Sequence, residues 1–388
     1  MRTTMNQTPV SRALRMSLFA ALLSLAASSS LRAQTYTVLY RFTGPDGASP
    51  YGTLILDANE NVYGMTRDGG AHNSGTVFEL TGKNVRVLYS FGDSPDGAHP
   101  MRGLTLDSQG NLYGTTAFGG SAGSGTAFKL GATGTDTILY SFTGAADGDQ
   151  PQSGLVLDAL RNLYGTTVMG GVSNCGTVFR INRSGAESVL HSFGCAADGQ
   201  FPYSGLTRVS NLFYGTTGGD GFKSYGTVFK MTLTGRETVF YRFKGGTDGA
   251  QPMSPLIVDA EDNVYGTTYL GGLGKGTVFK VDKFGSETVL YRFTGVDGGA
   301  DGENPLGGVV RDASGNLYGT TENGGAYNGG TVFKLEPNGH ETVLHSFGSG
   351  PTEGHYPENG LVRDSRGNLY GTTYLGGAGF GIVFEITP

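Results

Sequence analysis

A Tyr-Gly motif that returns seven times at nearly constant spacing, four strand-like runs in each interval and one unmatched strand ahead of the first interval predict an all-β fold. The fold is a seven-bladed β-propeller with four strands per blade, closed by residues 37–42 completing the last blade. The motif falls at Tyr63, Tyr113, Tyr164, Tyr214, Tyr265, Tyr318 and Tyr370, at intervals of 50, 51, 50, 51, 53 and 52 residues. A fixed period of this size marks supersecondary units that bury their apolar faces only against their neighbours. Glycine makes up 68 of the 388 residues and recurs at the same places in each unit, as tight turns require. Trp is absent, and 20 Tyr and 22 Phe supply the bulk of a core.

Each unit reads in the same order. A run rich in β-branched and aromatic residues occurs at 37–42, 87–91, 137–142, 188–193, 238–243, 288–293 and 342–347. An Asp-Gly-x-x-Pro loop follows, as at Asp46, Asp96 and Asp248. A short second run ends in aspartate at Asp57, Asp107, Asp158, Asp259, Asp312 and Asp364. A turn such as Asp312-Ala-Ser-Gly-Asn316 then leads into the Tyr-Gly-Thr-Thr strand, because Asp bonds its own following backbone and Gly and Asn tolerate positive φ. A glycine-paired loop precedes a Thr-Val-Phe strand, as at 177–181 and 331–335. No segment carries the 3.6-residue apolar period of a helix. The expected order in a blade places the Asp-ending strand innermost, then the Tyr-Gly-Thr-Thr strand, then the Thr-Val-Phe strand, with the Val-Leu-Tyr strand outermost. Under that order the last unit lacks its outer strand, and 37–42 is an outer-type strand without a blade. Their pairing leaves no open edge.

Residues 1–33 read as a secretory signal: Arg2, Arg12 and Arg15 precede an apolar run at 16–27, with a cut expected between Ala33 and Gln34. A membrane anchor is the alternative, but the run is short of the about 20 residues that a span needs. No later run is long and apolar enough to span. The expected mature domain is therefore 34–388, exported to the periplasm or beyond the cell. The net charge of −6 with no basic block argues against nucleic acid. Cys175 and Cys195 flank one hairpin, and a turn at Ser184-Gly185 sets them across its open end. An oxidising compartment favours a disulfide between them; two independent small apolar residues is the alternative.

The unit Asn-Leu-Tyr-Gly-Thr-Thr-x-x-Gly-Gly…Gly-Thr-Val-Phe-Lys-Leu…Glu-Thr-Val-Leu-Tyr-Ser-Phe resembles the GloVer (Gloeo_Verruco) tandem repeat of exported bacterial proteins, over essentially all of 37–388. The resemblance implies an exported propeller-like repeat protein with no settled biochemical role. It also implies a C-terminal surface anchor in many members, which is not expected here after the last strand. The fourth unit departs from the pattern, with Arg208-Val-Ser-Asn211 in place of the Asp-x-x-Gly-Asn turn.

No catalytic constellation is evident. Gly119-Gly-Ser121-Ala-Gly123 matches a nucleophile-elbow pattern, but another strand follows where a helix is needed. The six histidines are scattered, so no metal and no cofactor are expected. The acidic loop at 297–304 reads as a solvated turn. Aspartates common to the units, such as Asp147 and Asp198, are expected to serve the fold. A binding site should lie where the units differ, after Tyr-Gly-Thr-Thr. There Arg67, Asp68, Phe118, Met169, Tyr269, Glu322 and Tyr374 are expected on one rim. Aromatics there stack on sugars or pack on protein partners, with Arg67, Asp68 and Glu322 as polar contacts. The expected function is a monomeric, non-catalytic module binding a glycan or a protein. A lyase or hydrolase working at the central tunnel mouth and a purely structural envelope protein are the alternatives.

Overall fold

The computed structural model describes residues 34–92, 94–132, 134–195, 198–219, 224–295 and 301–387. The expected signal at 1–33 lies outside them. The described residues contain strands and turns and no helix. They form a seven-bladed β-propeller. Blade 3 shows the pattern: Val156–Leu157 pairs with Leu163–Thr167, which pairs with Thr177–Ile181, which pairs with Glu187–Ser192, all antiparallel. In blade 7 the outer strand is Thr35–Arg41, laid on Ile382–Thr387 with Tyr36 opposite Ile386 and Val38 opposite Phe384. The ring is closed by the N-terminal strand as expected, with bounds shifted from 37–42.

The repeated residues explain the repeated geometry. The glycine after each motif tyrosine lies opposite the phenylalanine of the third strand, as Gly165 does opposite Phe179. A Cβ on Gly165 would sit 2.6 Å from that ring, and the same conflict arises at Gly114 and Gly319. Only glycine lets the two strands bring the ring inward. The same ring meets the last phenylalanine of the preceding blade's outer strand. Phe42–Phe78, Phe91–Phe128, Phe142–Phe179, Phe193–Phe229, Phe243–Phe279, Phe293–Phe333 and Phe347–Phe384 have centroids 4.9 to 5.3 Å apart. Six of these pairs meet edge-on and one is tilted, geometries that the aromatic quadrupole favours. The core is thus seven apolar clusters, each shared by two adjacent blades.

The two threonines of the motif divide the work. The first reaches the next blade: Thr115 donates to the Ser153 carbonyl (2.8 Å), Thr166 to Ser204 (3.0 Å), Thr267 to Gly307 (2.9 Å) and Thr320 to Asn359 (2.7 Å). The second pairs within its blade, as Thr167 does with Thr177 at 2.8 Å. Each inner-strand aspartate organises its turn. Asp158 accepts from the backbone N–H of Leu160 and Asn162, the Asn162 amide and the Tyr164 hydroxyl. Blade 4 keeps the hairpin without that aspartate by a tighter turn, with Ser210 at φ 53°. Cys175 and Cys195 are joined in a disulfide with Cα atoms 5.4 Å apart.

Candidate functional site

The rim is built by a second periodic device. In every blade the residue before the loop proline has a positive φ: Ser49, His99, Gln150, Phe201, Gln251, Asn304 and Tyr356, all between 52° and 59°. This left-handed conformation is uncommon outside glycine. It aims each N–H at a carbonyl of the preceding blade, as His99 does at Ser74 (2.8 Å) and Tyr356 at Gly329 (2.8 Å). Ser49 makes the equivalent bond to Phe380 (2.9 Å), so the latch also spans the closing seam between blades 7 and 1. The next residues run down to the axis and face the ends of the Tyr-Gly-Thr-Thr strands.

Four of the seven expected site residues belong to one cluster there. The Arg67 guanidinium donates to the Tyr374 hydroxyl at 3.3 Å, from opposite ends of the chain. The Tyr374 ring meets Tyr51 edge-on, centroids 6.4 Å apart. Tyr51 lies beside the Glu358 carboxyl and Tyr269 beside Glu322, each close enough to interact with it electrostatically. Arg102 reaches from blade 2 across the axis, its Nη1 donating to the Met253 carbonyl of blade 5 at 2.9 Å. Arg102 and Glu358 line a shallow cleft of about 10 Å³, room for about one water, with residues of blades 1, 5, 6 and 7, including Thr53, Pro255, Leu306 and Asn359. Contributions from five blades place this cleft over the propeller axis.

The electrostatics of the cluster are those of a partly dry pocket. Burial, reinforced by the Glu322 charge, pushes Glu358 up to about 7, while the Tyr51 hydroxyl and the positive charges of Arg102 and Arg67 pull the other way. Burial and Glu322 push Tyr269 up to about 12. Burial also raises Tyr51, Arg102 opposing it. A carboxyl that is half protonated near neutral pH can donate or accept a hydrogen bond, and can move a proton.

The other expected residues sit apart from this cluster. Asp68 pairs with His99 at 3.1 Å, and the His99 ring meets Phe118 edge-on at 5.9 Å. Phe118 is 40% exposed, so blades 1 and 2 carry a small aromatic patch beside the main cluster. Met169 stays on blade 3, its backbone paired with Asp149. Tyr51, Arg102 and Glu358 were not singled out from sequence. Aligning the units on their loop prolines would have found them: Tyr51, Met101, Gln152, Tyr203, Met253, Leu306 and Glu358 occupy the variable column after the proline, and Arg102 stands in the next column, where the other units have Gly, Ser or Asn. The loop aspartates, by contrast, are used by the fold. Asp147 accepts from the Thr143 N–H and the Tyr140 hydroxyl. Asp198 does the same with Gly194 and His191, and the carboxylate of Glu353 takes that place beside His345. Gly119–Gly123 lies between two strands, with no helix to follow. Of the acidic loop, residues 296–300 fall outside the described set, Asp301 caps Thr294 and Glu303 is paired with Lys275. Two wider grooves on the opposite face are lined largely by turn residues common to the repeats.

The family model described as the Gloeobacter/Verrucomicrobia repeat matches residues 27–159, 81–275 and 219–388. The chain belongs to this family. No curated protein matches it. Among solved structures it is similar to an extracellular domain ascribed to a one-component system of B. thetaiotaomicron, with TM-score 0.59 and 11% identity. That match covers 90% of this chain and 39% of the other, so the chain spans well under half of that protein's length. It is also similar to an oligogalacturonate lyase of Vibrio parahaemolyticus, with TM-score 0.55 and 9% identity, covering 92% and 94% of the two chains. A puromycin-hydrolyzing peptidase of Mycobacterium tuberculosis matches at TM-score 0.53 and 15% identity, over 84% of this chain and 50% of that one. At these identities the likeness concerns the fold alone. Among the described residues no helix is long and apolar enough to cross a membrane, which says nothing of strand-based spanning. Nor do the described residues contain a group of three or more His, Cys, Asp or Glu that could hold a metal ion.

Proposed function

We propose that residues 1–33 direct export and that the propeller acts as a monomeric, non-catalytic module binding a glycan over its axis. The observation that carries this reading is the convergence of unit-specific residues on one place. Positions common to the blades are spent on latches, turns and core. Arg67, Tyr269, Glu322, Tyr374, Tyr51, Arg102 and Glu358 all stand in columns that vary from unit to unit, and they gather at the axial mouth. Tyrosines beside hydrogen-bonding carboxyl and guanidinium groups suit a sugar, which offers an apolar ring face and a fringe of hydroxyls. Rigid flanking strands hold these side chains ready, which lowers the entropy lost on binding. The disulfide and the N-terminal sequence support a periplasmic or extracellular setting.

The test is a thermal-shift screen of purified 34–388 against neutral and acidic oligosaccharides. A ligand at a hundred times its Kd stabilises the folded state by about 2.7 kcal/mol. The shift should vanish in Tyr269→Ala and Tyr374→Ala and persist in Met169→Ala. Absence of any saccharide shift would reject the glycan reading in favour of a protein partner or a structural role. One observation favours an enzyme instead: Glu358, near neutral in pKa, sits within reach of the Glu322 charge in a cleft, as general acid–base chemistry requires. A hydrolase or lyase would shorten the bound saccharide, and Glu358→Gln would abolish cleavage while sparing binding.

A further inference from the structure

We infer that the ligand bound over the axial mouth is anionic, a saccharide bearing carboxylate or sulfate groups, and that Arg67 and Arg102 receive that charge. This deepens the glycan-binding reading and rests on it. The two guanidiniums are the structural anomaly of the rim. The Nε atoms of Arg67 and Arg102 are buried without a hydrogen-bond partner. Neither side chain takes part in an ion pair among the described residues, and it is the buried Nε that sets them apart from the exposed unpaired cations. Each spends one Nη1 bond on a neutral oxygen, the Tyr374 hydroxyl or the Met253 carbonyl. Arg180 Nε is also unpartnered, but Arg180 lies beside Tyr164 on a blade flank and not at the axis.

An arginine presents five donors in a planar fork and is satisfied best by a carboxylate or a similar oxyanion. Two such forks left incomplete at the axial mouth, that of Arg102 lining the cleft, call for an acceptor from outside. The neighbouring carboxyls do not supply it. Neither Glu322 nor Glu358 forms an ion pair with either guanidinium, whose Nε atoms stay unpartnered. The axial mouth therefore holds two guanidiniums outside ion pairs, beside Glu322 and a Glu358 whose charge burial disfavours. The arginines flank Glu358 from blades 1 and 2, so an anion seated on them lies beside that carboxyl, within a stacking distance of Tyr51 and Tyr374. A sugar ring carrying its charge on an exocyclic carbon fits this arrangement: the ring covers a tyrosine while the acid group meets an arginine.

The experiment is calorimetric titration of 34–388 with tetragalacturonate, with a sulfated dextran oligosaccharide and with neutral cellotetraose, at low and at 0.5 M salt. The expected result is binding of an acidic probe, weakened by salt, with cellotetraose at least ten-fold weaker. Loss of one charge-assisted contact should cost roughly 10- to 100-fold in Kd, in both Arg67→Gln and Arg102→Gln. Because Arg102 also bridges the axis, Arg102→Lys is measured beside it; it keeps the charge and should bind better than Arg102→Gln if charge is what matters. Preference between the uronate and the sulfated probe names the acidic group. If cellotetraose binds as well as the acidic probes and Arg67→Gln leaves every Kd unchanged, the anionic inference is overturned while glycan binding stands. If no probe binds, both are overturned.

Discussion

Asn359→Ala should open the ring at its seam. Asn359 is 5% exposed and sits where blade 7 meets blade 1 beside the axis. Its Oδ1 accepts from the Gly52 N–H at 2.7 Å, and its Nδ2 donates to the Pro50 carbonyl (3.3 Å) and the Thr372 hydroxyl (3.2 Å). Truncation strands the Gly52 N–H in a buried place, at about 1–3 kcal/mol, and removes two longer bonds that contribute roughly 0.5 kcal/mol each. The sum is about 3 kcal/mol. With an unfolding entropy of about 2.1 cal/mol/K per residue, a domain of roughly 350 residues has about 0.74 kcal/mol/K in all. The expected fall in Tm is then about 4 °C. Circular dichroism melts of 34–388 measure it, with Asn338→Ala as the control: Asn338 is exposed in an outer turn and should shift Tm by less than 1 °C. A drop no larger than the control's would refute the claim that this side chain holds the closure.

Three further outcomes follow from the same structure. Burial and a neighbouring aspartate push Glu187, Glu237, Glu287 and Glu341 up to about 7 from 4.5. The folded state therefore holds more protons than the unfolded chain between about pH 4.5 and 7, and stability should fall as pH rises through that window. Tm at pH 5.5 should exceed Tm at pH 7.5, and Glu187→Gln, Glu237→Gln and Glu287→Gln together should flatten the difference. Below pH 4 the trend should reverse, because Asp107, Asp158 and Asp312 have lowered pKa values: burial opposes ionisation there, and hydrogen bonds from Asn, backbone and Tyr outweigh it. Reduction of the Cys175–Cys195 disulfide, which spans 20 residues, should cost about 3 kcal/mol by loop-closure entropy and lower Tm by about 4 °C; an unchanged melt under reductant would contradict the bridge. Deleting 34–42 strips the outer strand from blade 7 and bares the edge of Ile382–Thr387. That protein should aggregate, and a synthetic 34–42 peptide should restore a cooperative melt.

The fold was legible in the sequence because each of its rules is local and repeated seven times. A turn opened by Asp and closed by Asn, a glycine under a phenylalanine, and a threonine pair within one blade involve residues a few or a few tens of positions apart. One poorly formed copy, such as the turn at Arg208, does not obscure the other six. The closure was legible from counting alone, since one outer-type strand lacked a blade and one blade lacked an outer strand. The cysteine pair was readable for the same reason: both residues flank a single hairpin.

The site was legible only as a list of variable positions. Nothing in spacing joins Arg67 to Tyr374, Tyr51 to Glu358, or Arg102 to Met253, residues 151 to 307 positions apart in sequence. Met169 and Phe118 satisfy the same sequence criterion as Tyr269, yet lie outside the cluster. The positive φ before each loop proline, which leads the chain inward, carries no residue signature: Ser, His, Gln, Phe, Asn and Tyr all occupy it. Sequence by itself determined the unit, its strands and turns, the number of blades and the strand that closes them, since these depend on short-range stereochemistry. Tertiary structure decided which unit-specific side chains meet and which guanidiniums are left without a carboxylate. The physical reason is the geometry of a closed ring: it joins the first blade to the last, and its taper toward the axis crowds inner residues of distant blades into one small cleft.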